Sequence, residues 1–373
     1  MLSTADQSPS SGSFSDTVKQ PSSSLPVARL NNYDTIRLIA ASSVIFSHAF
    51  LFADGHEGNE PIARLLGEGY VLGFYGVVVF FVLSGYLVTQ SWFTTGGSIT
   101  FAIKRALRIY PALLVCAFVS AFVVAPLFSD VSFLKYLLDF RGYQYFIKTI
   151  TLQFDDAWII PGTFFYGPKV SYELGSVINA SLWTLSIEVA CYAIVLFLGL
   201  LRLLNLWSAA ICLIVGVVGY YGNLDYLCWP FLTFKLFPAF SSGMLLYFLK
   251  KKFGLTAVAA LLCFICLIGL VVAGQTLMAL SIFGAYSIIY FSESPSVYLG
   301  NGAMYGDLSY GTYLYGWPVG QCLRYALGDL ATWWSIFLLA LLISFGCAWI
   351  SWRFIESPML RLKQSPLLRL RWS

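Results

Sequence analysis

The chain has 373 residues, 58% of them hydrophobic and 17% aromatic, with 11% charged and a formal net charge of +4. Soluble domains carry roughly 25% charged residues, so this chain has too little polar surface for a water-soluble body, in line with its mean hydropathy of +0.76. A soluble enzyme, a coiled coil, a disordered protein and a nucleic-acid binder are excluded; an all-α polytopic integral membrane protein in contact with lipid is expected.

In chain order, residues 1–30 are rich in Ser and Pro and too poor in large apolar groups to offset ordering entropy. They read as a disordered cytoplasmic tail, and they lack the apolar core of a cleavable signal peptide. Apolar runs follow near 34–53, 70–92, 106–128, 179–201, 205–221, 228–249, 254–272, 275–291, 306–326 and 332–353. That makes about ten spans at ~20 residues each, helical because lipid cannot satisfy an open backbone. An even count puts both termini on one side. Lys104, Arg105, Arg108, Arg202, Lys250, Lys251 and Lys252 then fall in loops on that side, with Arg353, Arg361, Lys363, Arg369 and Arg371 beyond the last span. Positive charge marks the cytoplasmic face, so both termini, including a basic tail at 365–373, are expected there. The long loop at about 129–178 is expected outside, where Tyr143, Tyr145, Trp158 and Tyr166 offer stacking surface for sugar rings or an interfacial belt. The eight cysteines lie in or beside apolar runs, where free cysteine acts as a small hydrophobe. Cys263 and Cys266 have CxxC spacing without an activating base, so neither a disulfide framework nor a metal site is implied.

A charge inside a span costs about 2.5–3.5 kcal/mol, which makes each one informative. His48 lies in the first span, YDTIRLIAASSVIFSHAFLF, eleven residues after Arg37. Eleven helical steps are three turns plus about 20°, so the two share a face roughly 16 Å apart. His48 reads either as a neutral hydrogen-bonding residue or as a functional imidazole; Arg37 reads either as a snorkelling anchor or as a ligand contact. Glu188 is a carboxylate deep within NASLWTLSIEVACYAIV. It is about 13 Å below the outer face and His48 about 7 Å below it, so Glu188 reads either as a carboxylate placed to orient the imidazole or as a protonated, structural hydrogen-bond donor. Lys104, Arg105 and Arg108 crowd FAIKRALRIYP, with the two arginines i,i+3 neighbours suited to clamp phosphate. Ser84 and Gly85 sit in GFYGVVVFFVLSGYLV, where small residues serve close packing or touch ligand.

These segments together resemble the membrane acyltransferase 3 family. The resemblance runs from about residue 31 to 364 and rests on YDTIRLIAASSVIFSHA, GVVVFFVLSGYLV, KRALRIYP, IPGTF with INASLWTLSIEVACY, LSYGTYLYGWPV and WRFIESP, in that order. Two positions depart from it: Val78 stands where many relatives carry an acid, and Gly316 where many carry histidine. The resemblance implies an O-acyltransferase of the bacterial inner membrane with no permanently bound cofactor. It would move an acyl group, most often acetyl, from acetyl-CoA or another acyl-CoA to an extracytoplasmic carbohydrate such as an exopolysaccharide, O-antigen or lipid-linked sugar. It implies His48 and Glu188 as catalytic residues, Arg37, Arg105, Arg108, Ser84 and Gly85 as donor contacts, Asn179 and Trp183 as acceptor contacts, and no metal. His48 would act as general base or carry the acyl group itself. A transporter or flippase for a polar or lipid-linked solute is the competing reading, since intramembrane Arg, His and Glu also suit a proton-coupled carrier.

Overall fold

Apolar runs bounded by polar or small residues become helices here, and every predicted span coincides with one. The computed structural model describes residues 31–361 apart from 68, 154–158, 166–170, 229–231, 295–298 and 300–305. The expected tails at 1–30 and 365–373, with Trp158 and Tyr166, lie outside the described residues. The long helices are α1 (Tyr33–Asp54), α2 (Leu72–Thr94), α3 (Ser98–Val119), α4 (Trp183–Leu200), α5 (Leu206–Tyr221), α6 (Phe237–Phe253), α7 (Ala257–Val272), α8 (Thr276–Glu293), α9 (Ser309–Leu327) and α10 (Trp333–Ser351). Among the described residues, six helices are long and apolar enough to cross a membrane, while α5 and α7 are apolar but shorter. No strand forms among the described residues, only isolated bridges at Ser129–Thr163 and Ile159–Val177.

Two boundaries moved. The run near 106–128 begins earlier, at Ser98, and continues through a π-helical turn at Ser120–Val124 to Leu127. Lys104, Arg105 and Arg108 are therefore helical, not in a loop. The run near 228–249 starts as a helix only at Phe237, with Pro238 in its first turn, where proline's missing N–H costs nothing.

Small residues set the helix directions. Gly73 of α2 packs on Val44 and Ser47 of α1, and Gly76 on Ala40 and Ser43, so the two helices run antiparallel. Gly316 and Gly320 of α9 meet Ile45 and Phe52, so α9 runs parallel to α1. The bundle thus has one end where α1 and α9 begin, the arginine end, and one where α2 begins, the loop end. On α5, the buried residues are Ala209, Gly216 and Gly219, and the two glycines meet Pro238 and Phe234 in and beside α6. Helix α7 buries only Ala260 and is otherwise apolar around its circumference, as a helix facing lipid would be.

The loop at 129–178 is folded rather than extended. Short helices Phe133–Leu137 and Phe140–Ile150 close over their own core of Tyr136, Tyr145, Ile160 and Phe165. Tyr145, expected to present a stacking surface, is buried in that core, because its helix turns an apolar face inward.

Asn179 also has a backbone explanation. Pro318 interrupts α9 and cannot donate to the carbonyl four residues back, that of Leu314. Asn179 Nδ2 donates to that carbonyl at 2.9 Å, while its Oδ1 accepts from the Ser181 amide at 3.1 Å. The Cys116 thiol is a second, weak donor to the same carbonyl at 3.6 Å, and leaving a carbonyl under-satisfied inside a bundle costs about 1–3 kcal/mol. Asn179→Ala is therefore expected to destabilise the protein by about that amount. In Asn179→Ala/Pro318→Ala, the restored N–H of residue 318 is expected to return roughly half or more of the loss. Thermal melts of the two variants in detergent check this; equal losses would remove the pairing.

Candidate active site

Five helices enclose two spaces, one toward each end of the bundle. The arginine-end chamber is lined by Arg37 of α1, Ser84 of α2, Arg105 and Arg108 of α3, Glu188 and Tyr192 of α4, and Tyr310 and Tyr313 of α9. The i,i+3 spacing of Arg105 and Arg108 puts both on its wall. Their electrostatic states differ. Arg108 Nη2 lies 2.5 Å from Asp307 Oδ2, and Arg37 Nη1 lies 3.6 Å from the same oxygen and 3.8 Å from Asp34. Asp307 sits just before α9, beside Gly306, whose backbone has φ +105° and passes against the indole of Trp352 with no room for a Cβ. Only glycine suits that passage.

Arg105 forms no ion pair among the described residues. Its Nη2 reaches Ser91 Oγ at 3.3 Å, and its guanidinium carbon lies 5.9 Å from the Phe101 ring centroid and 5.8 Å from that of Tyr192. Its Nε is buried without an acceptor among the described residues. A buried charged donor left unpaired is costly, and this one belongs to a side chain on the chamber wall. The arrangement suits an anionic group, bound through charge-assisted hydrogen bonds.

Glu188 belongs to this chamber and is not the partner of His48. Its Oε1 accepts from the Tyr192 hydroxyl and, at 3.4 Å, from Ser84 Oγ. Depth arithmetic missed the azimuth: five residues separate Glu188 from Trp183, turning it about 140° around α4. Trp183 faces the other space, so Glu188 faces away from it.

The loop-end cleft holds His48, together with Ser47, Ser181, Trp183 and Trp317. The His48 ring meets Trp317 edge-on with centroids 4.7 Å apart, and its Nδ1 is buried without a partner among the described residues. Nearby, Ser47 Oγ accepts the Gly73 amide at 2.7 Å, capping the first turn of α2 from α1. His56 and Glu57, beyond the end of α1, also line the cleft, so both histidines of the chain meet here. Desolvation, and then the nearby Glu60 carboxylate, push the Glu57 carboxyl up to about 7.

The structure thus gathers Arg37, Ser84, Arg105, Arg108 and Glu188 in one space and His48 and Trp183 in the other. Asn179 lines neither, being the backbone partner described above, and Gly85 packs against the Phe240 carbonyl. Sequence reasoning missed His56, Glu57, Tyr192, Asp307 and Tyr313. Tyr192 was accessible as the i,i+4 neighbour of Glu188; for His56 and Glu57, lying outside any span, no local signal exists.

Residues 30–353 match the family model described as "Acyltransferase domain". The chain is 29% identical to nodulation protein 10 of Rhizobium leguminosarum bv. viciae, over 94% of this chain and 98% of that protein. It is 32% identical to an O-acetyl transferase of Shigella phage Sf6 over 44% of each chain. No solved structure matches it.

The raised carboxyl of Glu57 sets a pH dependence. Between about 4.5 and about 7 the unfolded chain has released this proton while the folded protein retains it, so stability falls as pH rises through that window. Glu57→Gln has no such loss. Its melting temperature relative to wild type is expected to climb from pH 4.5 to 7 and level off above; a constant difference in detergent melts across pH 4–8 would contradict this.

Proposed function

Since the chain belongs to the acyltransferase domain family and is therefore an acyltransferase, we propose that it moves an acyl group, acetyl in the first instance, from acyl-CoA to a hydroxyl of an extracytoplasmic carbohydrate. In this reading the protein sits in a bacterial inner membrane with its arginine end toward the cytoplasm. The observation that carries the reading is the pairing of spaces. A chamber holding an arginine without an ion pair among the described residues abuts a cleft holding a histidine with a ring nitrogen unpartnered among them.

Arg105 takes a phosphate of the donor, with Arg37 and Arg108 adding positive potential that Asp307 partly offsets. The thioester points toward the cleft. There, the acceptor oxygen forms the new ester bond as the acyl carbon–sulfur bond breaks; His48 accepts the hydroxyl proton, and the thiolate leaves to take up a proton. A relay in which His48 carries the acyl group between the two is an equivalent route in atoms and protons. Glu188 does not orient the imidazole; it holds the Tyr192 hydroxyl, whose ring lies beside Arg105. Trp183, Trp317, His56 and Glu57 supply the apolar faces and polar edges that suit a sugar. Acetyl as the acyl group is supported by the name of the phage relative.

The test is ester content of extracellular polysaccharide by proton NMR, in a deletion strain complemented with wild type or variant at matched membrane levels. Wild type is expected to restore an O-acyl signal, and His48→Ala to lower it by about a hundredfold or more. Full restoration by His48→Ala would sink the role of the imidazole. In membrane assays Arg105→Ala is expected to raise the donor KM about 10- to 100-fold, the loss of one hydrogen bond to a charged group. An unchanged KM would remove Arg105 from the donor site.

A further inference from the structure

Two residues, Val77 of α2 and Tyr313 of α9, line both the arginine-end chamber and the loop-end cleft. They are buried, 6% and 7% exposed. The Tyr313 ring is held at three points. Its hydroxyl donates to the Ser181 carbonyl at 2.6 Å, which leaves the oxygen to accept from Thr184 Oγ1 at 2.8 Å, and Phe80 packs edge-on with centroids 5.9 Å apart. Ser181 belongs to the turn before α4 and Thr184 to the first turn of α4 itself. The two spaces therefore share one pinned aromatic ring and one β-branched side chain, whose χ1 is itself stiff.

We propose that Val77 and Tyr313 form the neck through which the acyl group meets the acceptor, and that they limit the transferred group to short chains of about two carbons. The proposal rests on the acyl-CoA reading above and deepens it by naming the residues that select the acyl group. Arg105 lies on one side of the neck and His48 on the other, so the acyl carbon has to enter it. A rigid neck cannot widen cheaply, since added methylenes in a packed core force neighbours off their rotamers. One methylene in such a contact discriminates by about 10- to 200-fold. Removing two methyl carbons from Val77 should relax that limit, and adding one should tighten it.

The experiment uses inverted membrane vesicles from a deletion strain of the source organism, complemented with wild type, Val77→Ala, Val77→Ile or Tyr313→Phe. Each is supplied with radiolabelled acetyl-CoA or butyryl-CoA, and label in the glycan and lipid-linked sugar fraction is counted. The butyryl-to-acetyl ratio is the readout, because it does not depend on how much folded protein each vesicle holds. Val77→Ala is expected to raise the ratio about tenfold or more and Val77→Ile to lower it. Tyr313→Phe, which keeps the ring but frees it, is expected to raise it. A ratio unchanged in all three variants, with wild type active on acetyl-CoA, overturns the neck and leaves the transferase reading standing. No label transferred by wild type from either donor overturns both.

Discussion

The Asp307 carboxylate is the contact on which the arginine end depends. It ties the start of α9 to α3 through Arg108, and the same oxygen lies near Arg37 of α1. Three helices converge on one charge, largely shielded from water, where removing either partner would leave an uncompensated ion. The geometry is possible because Gly306 lets the chain pass against Trp352. The functional consequence is selective neutralisation: with Arg108 and Arg37 engaged by a carboxylate, Arg105 is the chamber-lining arginine left without one among the described residues.

The loop end is assembled by a different device, the polar face of α9. Gln321 Nε2 donates to the carbonyls of Leu174 and Val177, Trp317 Nε1 also reaches Val177, and Arg324 Nη2 donates to Phe165. Together with the Asn179 bond to Leu314, these contacts fasten the segment before α4 onto α9. That segment carries Ser181 into the cleft and leads directly into Trp183, the first residue of α4. The polar residues of α9 therefore mount a loop instead of marking a pathway, since helix side chains in a bundle are the available partners for irregular backbone at that depth.

The two spaces share helices, so a shift of α9 against α2 would alter both at once. Tyr313 is pinned to the α4 entry, and α4 carries Trp183 on one face and Glu188 on the other.

The helical segments, the membrane class, and the families of residues worth attention were legible in the chain alone, because hydrophobic run length and the cost of intramembrane charge are local properties. Arg37, Arg105, Arg108, Ser84 and His48, marked by residue type and spacing, and Trp183, marked by the resemblance, all line one space or the other. Which residues face each other was not legible. Depth along a helix follows from counting, but azimuth relative to other helices is decided by packing, and so Glu188 joined the arginines instead of His48. Asn179, which carries a conspicuous motif position, proved to answer a carbonyl freed by Pro318, a residue distant in sequence. His56 and Glu57 line the cleft because the chain leaves α1 through the left-handed cap at Gly55, which also lines it. The neck at Val77 and Tyr313 exists only where α2, α4 and α9 meet, and no local pattern in any one of the three specifies it.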